Sequence, residues 1–217
     1  PLEPLYRNGY RKHPMLNKET VLSTLKQQLS KSRFEHSIRV ADTAQALAKR
    51  YNISEEDAYF SGILHDIAKP ASPDNTYEKT IHFSEEEIQL YREFPSVWHA
   101  FVGPKYVAAC CGEISAEISN AITYHTTGTS NMLPLTECLY IADFTEPGRN
   151  TLVSQYGHQL AKVCFNQAIY AITLANINKL KKRCLAIHPE TMKCYFFYEG
   201  KINSDTQKKI SKEIQIQ

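Results

Sequence analysis

With 217 residues, 42% of them hydrophobic and 22% charged, the chain has the size and make-up of one ordinary globular domain. Its formal net charge of +2 excludes the broad basic field of a nucleic-acid-binding protein, so any anion has to be held by a local group of Arg, Lys or metal. No run approaches the roughly 18–20 apolar residues that cross a bilayer, and the N-terminus lacks the apolar core of a signal peptide, so a cytoplasmic protein with no membrane partner is expected.

Residues 1–16 contain three prolines and little periodicity, and are expected to form an N-terminal extension; the chain opens on Pro instead of Met, which fits a processing boundary. Asn17 suits an N-cap, with Leu16 and Val21 as a hydrophobic staple, and Val21, Leu25 and Leu29 then recur every four residues. Phe34, Ile38, Ala41, Ala48 and Tyr51 give a second helix. Ser54 with Asp57 predicts a capping box for a third, running towards Ala68 and stopping before Pro70. A polar loop over 71–83 leads to a second capping box, Ser84 with Glu87, which marks a helix start and not a carboxylate pair for acid–base work. Pro104 predicts a helix near 104–111. Ile114, Ile118, Ala121, Ile122 and His125 share one face of the next, which ends in the turn Thr126–Thr127–Gly128. Pro134 fits the first turn of another, with Leu135, Leu139 and Asp143 on one stripe and Pro147–Gly148 closing it. A long helix is predicted from about Leu152 to Lys182, and Cys194–Tyr198 (CYFFY) has the composition of a short strand or of an extended segment packed on the core. The expectation is one all-α domain over 17–192 and a C-terminal tail at 193–217. None of the six cysteines sits in a C-x-x-C pair, so reduced, mostly buried thiols are expected in place of a zinc knuckle.

The chemistry concentrates in His36, the adjacent pair His65–Asp66, His99, His125 and Asp143, each on or near the end of a predicted helix. Divalent metals take imidazole nitrogen and carboxylate oxygen, and an adjacent His–Asp pair at a helix end can offer one of each to a shared ion. A His–Asp dipeptide alone is a weak sign. Its setting here is GILHDIAK, with Gly62 permitting close helix packing and Lys69 three residues beyond Asp66. Arg33 lies one helical turn from His36, so its guanidinium can reach a phosphate held there, although a solvated Arg fits the same position. Lys69 offers a point charge to phosphate or, alternatively, complements a helix dipole. Arg149 follows the Pro–Gly turn one turn beyond Asp143; the alternative is a surface loop Arg. His13, His82 and His158 belong to no pattern and are expected at the surface.

The segments RFEHSIRVADTA (33–44), AYFSGILHDIAKP (58–70), WHAFVGPKYVA (98–108), ITYHTTG (122–128) and LYIADFTEPGR (139–149) resemble the HD superfamily of metal-dependent phosphohydrolases, a helical bundle. HTTG, ADFTEPGR and AIHPET narrow the resemblance to its symmetrical bis(5'-nucleosyl)-tetraphosphatase branch. That resemblance implies cleavage of diadenosine tetraphosphate to two ADP with a divalent metal. Iron is favoured, manganese and zinc being competent, and one ion is favoured over two. It implies His36, His65, Asp66 and Asp143 as metal ligands, with Asp66, Lys69, His99 and His125 as catalytic groups. It also implies nucleotide contacts from Arg33, Asp66, Lys69, His99, His125, Thr126, Asp143, Arg149, Ile187, His188 and Thr191. His99 and His125 either hold a second ion or contact phosphate and assist the leaving group, the second being preferred. From physics alone 187–191 is a loop with a capping Thr. Pro104 and Lys105 depart from the smaller residues the family suggests, which alters a helix start without touching a ligand. The implied partner is a small dinucleoside polyphosphate, and a homodimer fits. Two rivals are a deoxynucleotide 5'-phosphatase or guanosine polyphosphate hydrolase of the same superfamily, and a nucleotide sensor whose metal residues are vestigial.

Overall fold

A computed structural model describes residues 16–75 and 80–216; the expectations for residues 1–15, including His13, lie outside them. Eleven helices and no named strand occur among the described residues. The first three form a unit: α1 (Lys18–Gln28), α2 (Lys31–Tyr51) and α3 (Glu55–Leu64). Each starts on a side-chain cap that accepts a backbone N–H, from Asn17, Ser30 and Ser54 respectively. Asn52 ends α2 in the left-handed region at φ 55°, where Asn is tolerated. α3 stops at Leu64, and turns carry the chain to Pro70.

α4 (Glu85–Glu93) opens on the expected reciprocal Ser84–Glu87 capping box. α5 spans Pro95–Cys110, so the helix predicted near 104–111 begins nine residues earlier and Pro104 lies inside it. A proline favours a first turn, but here Trp98, His99, Ala100, Val102, Gly103, Tyr106 and Val107 are all buried. Packing holds the helix through a residue that lacks an N–H. α6 (Ala116–Tyr124) and α7 (Pro134–Thr145) carry the predicted apolar faces, including buried Ile118, Ala121, Ile122, Leu135 and Leu139.

The single long helix expected from Leu152 to Lys182 is instead an antiparallel pair, α8 (Leu152–Ala161) and α9 (Phe165–Lys182). No Gly or Pro marks the break; Cys164 turns extended at φ −159°, and α8 folds back on α9. Gly157 makes that approach possible, since a Cβ there would lie 3.3 Å from Ile172 Cγ1. The CYFFY run is helical as well, within α10 (Pro189–Glu199), and α11 (Ser204–Ile216) follows. Cys194 and Tyr198, four residues apart, share the buried face of α10, and the Tyr198 hydroxyl donates to Glu137 at 2.6 Å. Burial of one helical face thus overrides a strand-like composition. The expected 192/193 boundary falls inside α10. No disulfide joins the cysteines among the described residues, but only Cys138 and Cys194 are buried, and Cys184 is exposed. Of the histidines outside the pattern, His82 is exposed and His158 is half-buried. No helix among the described residues is long and apolar enough to cross a membrane.

α3 packs along α2, both meet α7, and α6 bridges α5 and α7. The core is mostly apolar, with scattered buried hydroxyls such as Thr136 and Thr173, and its ionisable groups gather where these helices converge. There His36, His65, Asp66, His99 and His125 are all buried.

Candidate metal centre

His36 continues the buried face of α2 that runs on through Val40 and Ala44. His65 is the C-cap of α3, and Asp66 follows it. Gly62 brings α3 down onto α2: a Cβ there would lie 2.6 Å from Ala41 Cα. Asp143 comes from the last turns of α7, with 16% of its side chain accessible. Four donor atoms converge as a result. His36 Nε2 lies 3.1 Å from Asp143 Oδ1 and 3.9 Å from Asp66 Oδ2. His65 Nε2 lies 3.3 Å from Asp66 Oδ2 and 3.8 Å from Asp143 Oδ1.

Both imidazoles are oriented from behind. His65 Nδ1 sits 2.6 Å from the Gly62 carbonyl, which can only accept, so that nitrogen carries the proton. His36 Nδ1 sits 3.0 Å from Glu146 Oε1 and is a donor for the same reason. The two Nε2 atoms are buried and make no hydrogen bond of ordinary geometry, each lying instead beside a carboxylate oxygen. Buried nitrogen lone pairs facing two carboxylates suit a cation, and ligands around an ion at about 2.1 Å lie roughly 3–4 Å apart. His36, His65 and Asp143 form one such group; His65, Asp66 and His125 form another. The residues therefore fit a divalent metal.

Charge on this cluster is balanced from outside it. Arg33 reaches Asp66 Oδ2 at 2.7 Å, and Arg149 reaches Asp143 Oδ1 at 2.7 Å. Burial opposes ionisation of Asp66. The field of His65 and hydrogen bonds with His125, His65 and His99 nonetheless hold its carboxyl well below the usual range. Asp143 is lowered too: burial is outweighed by its hydrogen bond with His36 and by the charges of Arg149 and His65. For His65, burial is outweighed by the Asp66 charge and the pKa rises.

On the other side of Asp66, His99 Nε2 lies 3.1 Å from Oδ1 and 3.3 Å from His125 Nε2. Lys69 Nζ sits 3.2 Å from His99 Nε2. Burial pushes His99 down to about 4 against its hydrogen bond to the Asp66 carboxylate, and lowers His125 and Lys69 as well. His125 is the C-cap of α6, its Nδ1 held 2.7 Å from the Ile122 carbonyl. Thr126 follows with a buried hydroxyl that has no partner.

Ile187, His188 and Thr191 stand apart from the cluster. His188, not Thr191, caps α10, and Thr191 lies inside that helix. The His188 ring packs on Phe94 and Phe101 at centroid distances of 4.8 and 5.2 Å, and Phe101 is two residues from His99 on α5. Glu146 and Arg39 are the functional candidates that spacing did not single out. Buried Glu146 accepts from Arg39 Nε at 2.6 Å and from the Gly148 amide, besides holding His36. The available signs were slight: Glu146 stands in ADFTEPGR, and Arg39 is three residues from His36.

Comparison with known proteins agrees with this geometry. The HD domain family model matches residues 33–148. The symmetrical bis(5'-nucleosyl)-tetraphosphatase of Bacillus subtilis is 32% identical over 180 residues, covering 83% of this chain and 96% of that protein. The enzyme of the same name from Halalkalibacterium halodurans is 31% identical over 183 residues, with 83% and 96% covered. The crystal structure of a predicted HD superfamily hydrolase involved in NAD metabolism from Clostridium acetobutylicum matches with a TM-score of 0.76 and 26% identity, over 87% of this chain and 100% of that one. With the matched span running from Arg33 to Gly148 and containing His36, His65, Asp66 and Asp143, the chain belongs to the HD domain family.

Proposed function

We propose that the chain hydrolyses diadenosine tetraphosphate symmetrically to two ADP, with a divalent ion held by His36, His65, Asp66 and Asp143. The observation that carries this is the convergence of two buried Nε2 atoms and two carboxylates within 3.1–3.9 Å, ringed by Arg33, Arg149 and Lys69. The 31–32% identical relatives covered over 96% of their length, named for this activity, supply the substrate class. Iron is the ion we favour; manganese or zinc also suits mixed imidazole and carboxylate ligation.

His36, His65, Asp66 and Asp143 would hold the ion, whose chemistry when bound would be to polarise a phosphoryl oxygen and lower the pKa of a bound water. The protein's own groups do the rest. Asp66 is too acidic to keep a proton at neutral pH, so its carboxylate orients the attacking water by accepting a hydrogen bond. His99, with a pKa near 4, is neutral at pH 7 and serves as a hydrogen-bond donor to phosphate, not as an imidazolium acid. Arg33 and Arg149, 36% and 40% accessible at the side chain, stand at the mouth, where an incoming polyphosphate meets them first. Lys69, exposed like Arg149, adds charge beside His99. A diphosphate leaving group carries its own negative charge well, so these cations matter more than a proton donor.

Product analysis with the purified, metal-loaded protein tests the proposal. Two ADP per diadenosine tetraphosphate are expected, and nucleoside plus orthophosphate from mononucleotides is not. Asp66→Ala and His65→Ala should each lose turnover and bound metal together. Full activity in either variant rules the site out.

A further inference from the structure

A second concavity adjoins the cluster through Arg149. It is a cleft of about 590 Å³ between the end of α7, the start of α8, the last turns of α9 and α11. Phe144 and Val153 give it apolar walls, Asn176 contributes an amide, and Arg149, Lys179, Lys182 and Arg183 supply charge. No Asp or Glu lines it. In a chain whose net charge is only +2, Lys179, Lys182 and Arg183 on one cavity with no carboxylate in its lining is a local concentration, beside which stands Arg149, paired with Asp143. Basic residues in a last turn do complement a helix dipole, which accounts for Lys179 and Lys182. It does not account for Arg149, which comes from another element, nor for the apolar wall and amide opposite. A cavity of this size with apolar walls and a few polar groups matches what a nucleotide needs.

We propose that this cleft is the subsite for the second nucleoside diphosphate half of a dinucleotide substrate, an inference that rests on the tetraphosphatase reading above. A symmetrical substrate cut at its midpoint leaves one ADP moiety on each side of the scissile bond. Arg149 is the joint: its NH2 group touches Asp143 Oδ1 in the cluster, and the same residue lines the cleft. Phosphates beyond the cut pass Arg149 and run along Lys179, Lys182 and Arg183. The nucleoside then settles against Phe144 and Val153, with the Asn176 amide in reach of its polar edge. The opening beside Ser32, Arg33 and His36 is bounded by the same Arg149, so the two spaces share a wall.

The test uses the full-length, metal-loaded protein and a variant with Lys179→Gln, Lys182→Gln and Arg183→Gln, all three exposed, so that folding is spared; an unchanged thermal midpoint checks this. Calorimetric titration with ADP should give two molecules per wild-type chain and one per variant chain. The KM for diadenosine tetraphosphate should rise about tenfold in the variant, because charge-assisted phosphate contacts are lost. A wild-type chain that binds one ADP, or a variant that still binds two with an unchanged KM, overturns the subsite. A wild-type chain that binds two ADP yet leaves diadenosine tetraphosphate intact overturns the tetraphosphatase reading instead, and the substrate assigned to this cleft with it.

Discussion

Glu146 sets how His36 can serve an ion. A histidine ligand works only with its proton on the far nitrogen, and the Glu146 carboxylate fixes it there at 3.0 Å. Burial works against that charge, but hydrogen bonds from Arg39 and His36 keep the Glu146 carboxyl below its ordinary pKa. Removing such a group behind a ligand typically costs 10–100-fold in metal affinity. Glu146→Ala should therefore weaken metal binding by about that factor, read by competition with a chromophoric chelator, while Glu146→Gln, which keeps an acceptor for Nδ1, should fall less. Equal affinity in wild type and Glu146→Ala would deny it this role. The sequence displayed the donors in order, because His36, His65–Asp66 and Asp143 sit at helix positions that periodicity can place. It hid Glu146, because the partner of a histidine 110 residues away is chosen by how α2 and α7 cross, which no local spacing encodes.

At the scale of elements, the site depends on how closely α3 can lie on α2. The contact at Gly62 is against backbone, Ala41 Cα at 2.6 Å and Ala41 N at 2.9 Å from a built Cβ, so nothing flexible can give way. Gly62 also lends its carbonyl to His65 Nδ1. Gly62→Ala should push the helices apart, lowering stability by about 1–3 kcal/mol in a denaturant titration and loosening His65 in the same step. An unshifted midpoint would show that the pair accommodates a methyl group. Elements with an explicit start signal were legible: Asn17, Ser84 with Glu87, and Pro134 each mark a real helix start. Those decided by burial were not. Pro104 is carried inside α5 by its apolar surroundings, the α8–α9 break is marked by neither Gly nor Pro, and CYFFY becomes helical because Cys194 and Tyr198 bury one face.

At the scale of the whole molecule, a mostly apolar helical core encloses a group of imidazoles and carboxylates whose protonation couples folding to pH. His99 and His125 titrate lower in the folded chain than the free value of 6.5, burial being the main cause, and His188 and His158 are lowered the same way. Below pH 6.5 the unfolded chain takes up protons that the folded chain refuses, so stability falls as pH drops from 6.5 towards 4. Each such proton contributes a slope of up to about 1.4 kcal/mol per pH unit. His65 works in the opposite sense and in another window. Its folded pKa is raised above 6.5, so the stability it adds is complete below 6.5 and is lost as pH climbs through the folded value. Asp66 and Asp143, both lowered from 3.8, stay ionised across this range and do not bend the curve. The metal-free protein should accordingly be most stable near pH 6.5, with urea midpoints declining on both sides. Metal needs the His65 nitrogen without its proton, and it adds stability as RT ln(1 + [M]/Kd). Loading the ion should thus raise the midpoint, remove the alkaline decline and steepen the acid one, because a metal-bound His65 refuses the proton that the unfolded chain takes up below 6.5. Midpoints measured from pH 5 to 8, with chelator and with saturating metal, give both curves. A metal-free curve that climbs steadily to pH 8 would mean that Asp66 does not hold a proton on His65, and that the two residues are not coupled as their 3.3 Å separation requires.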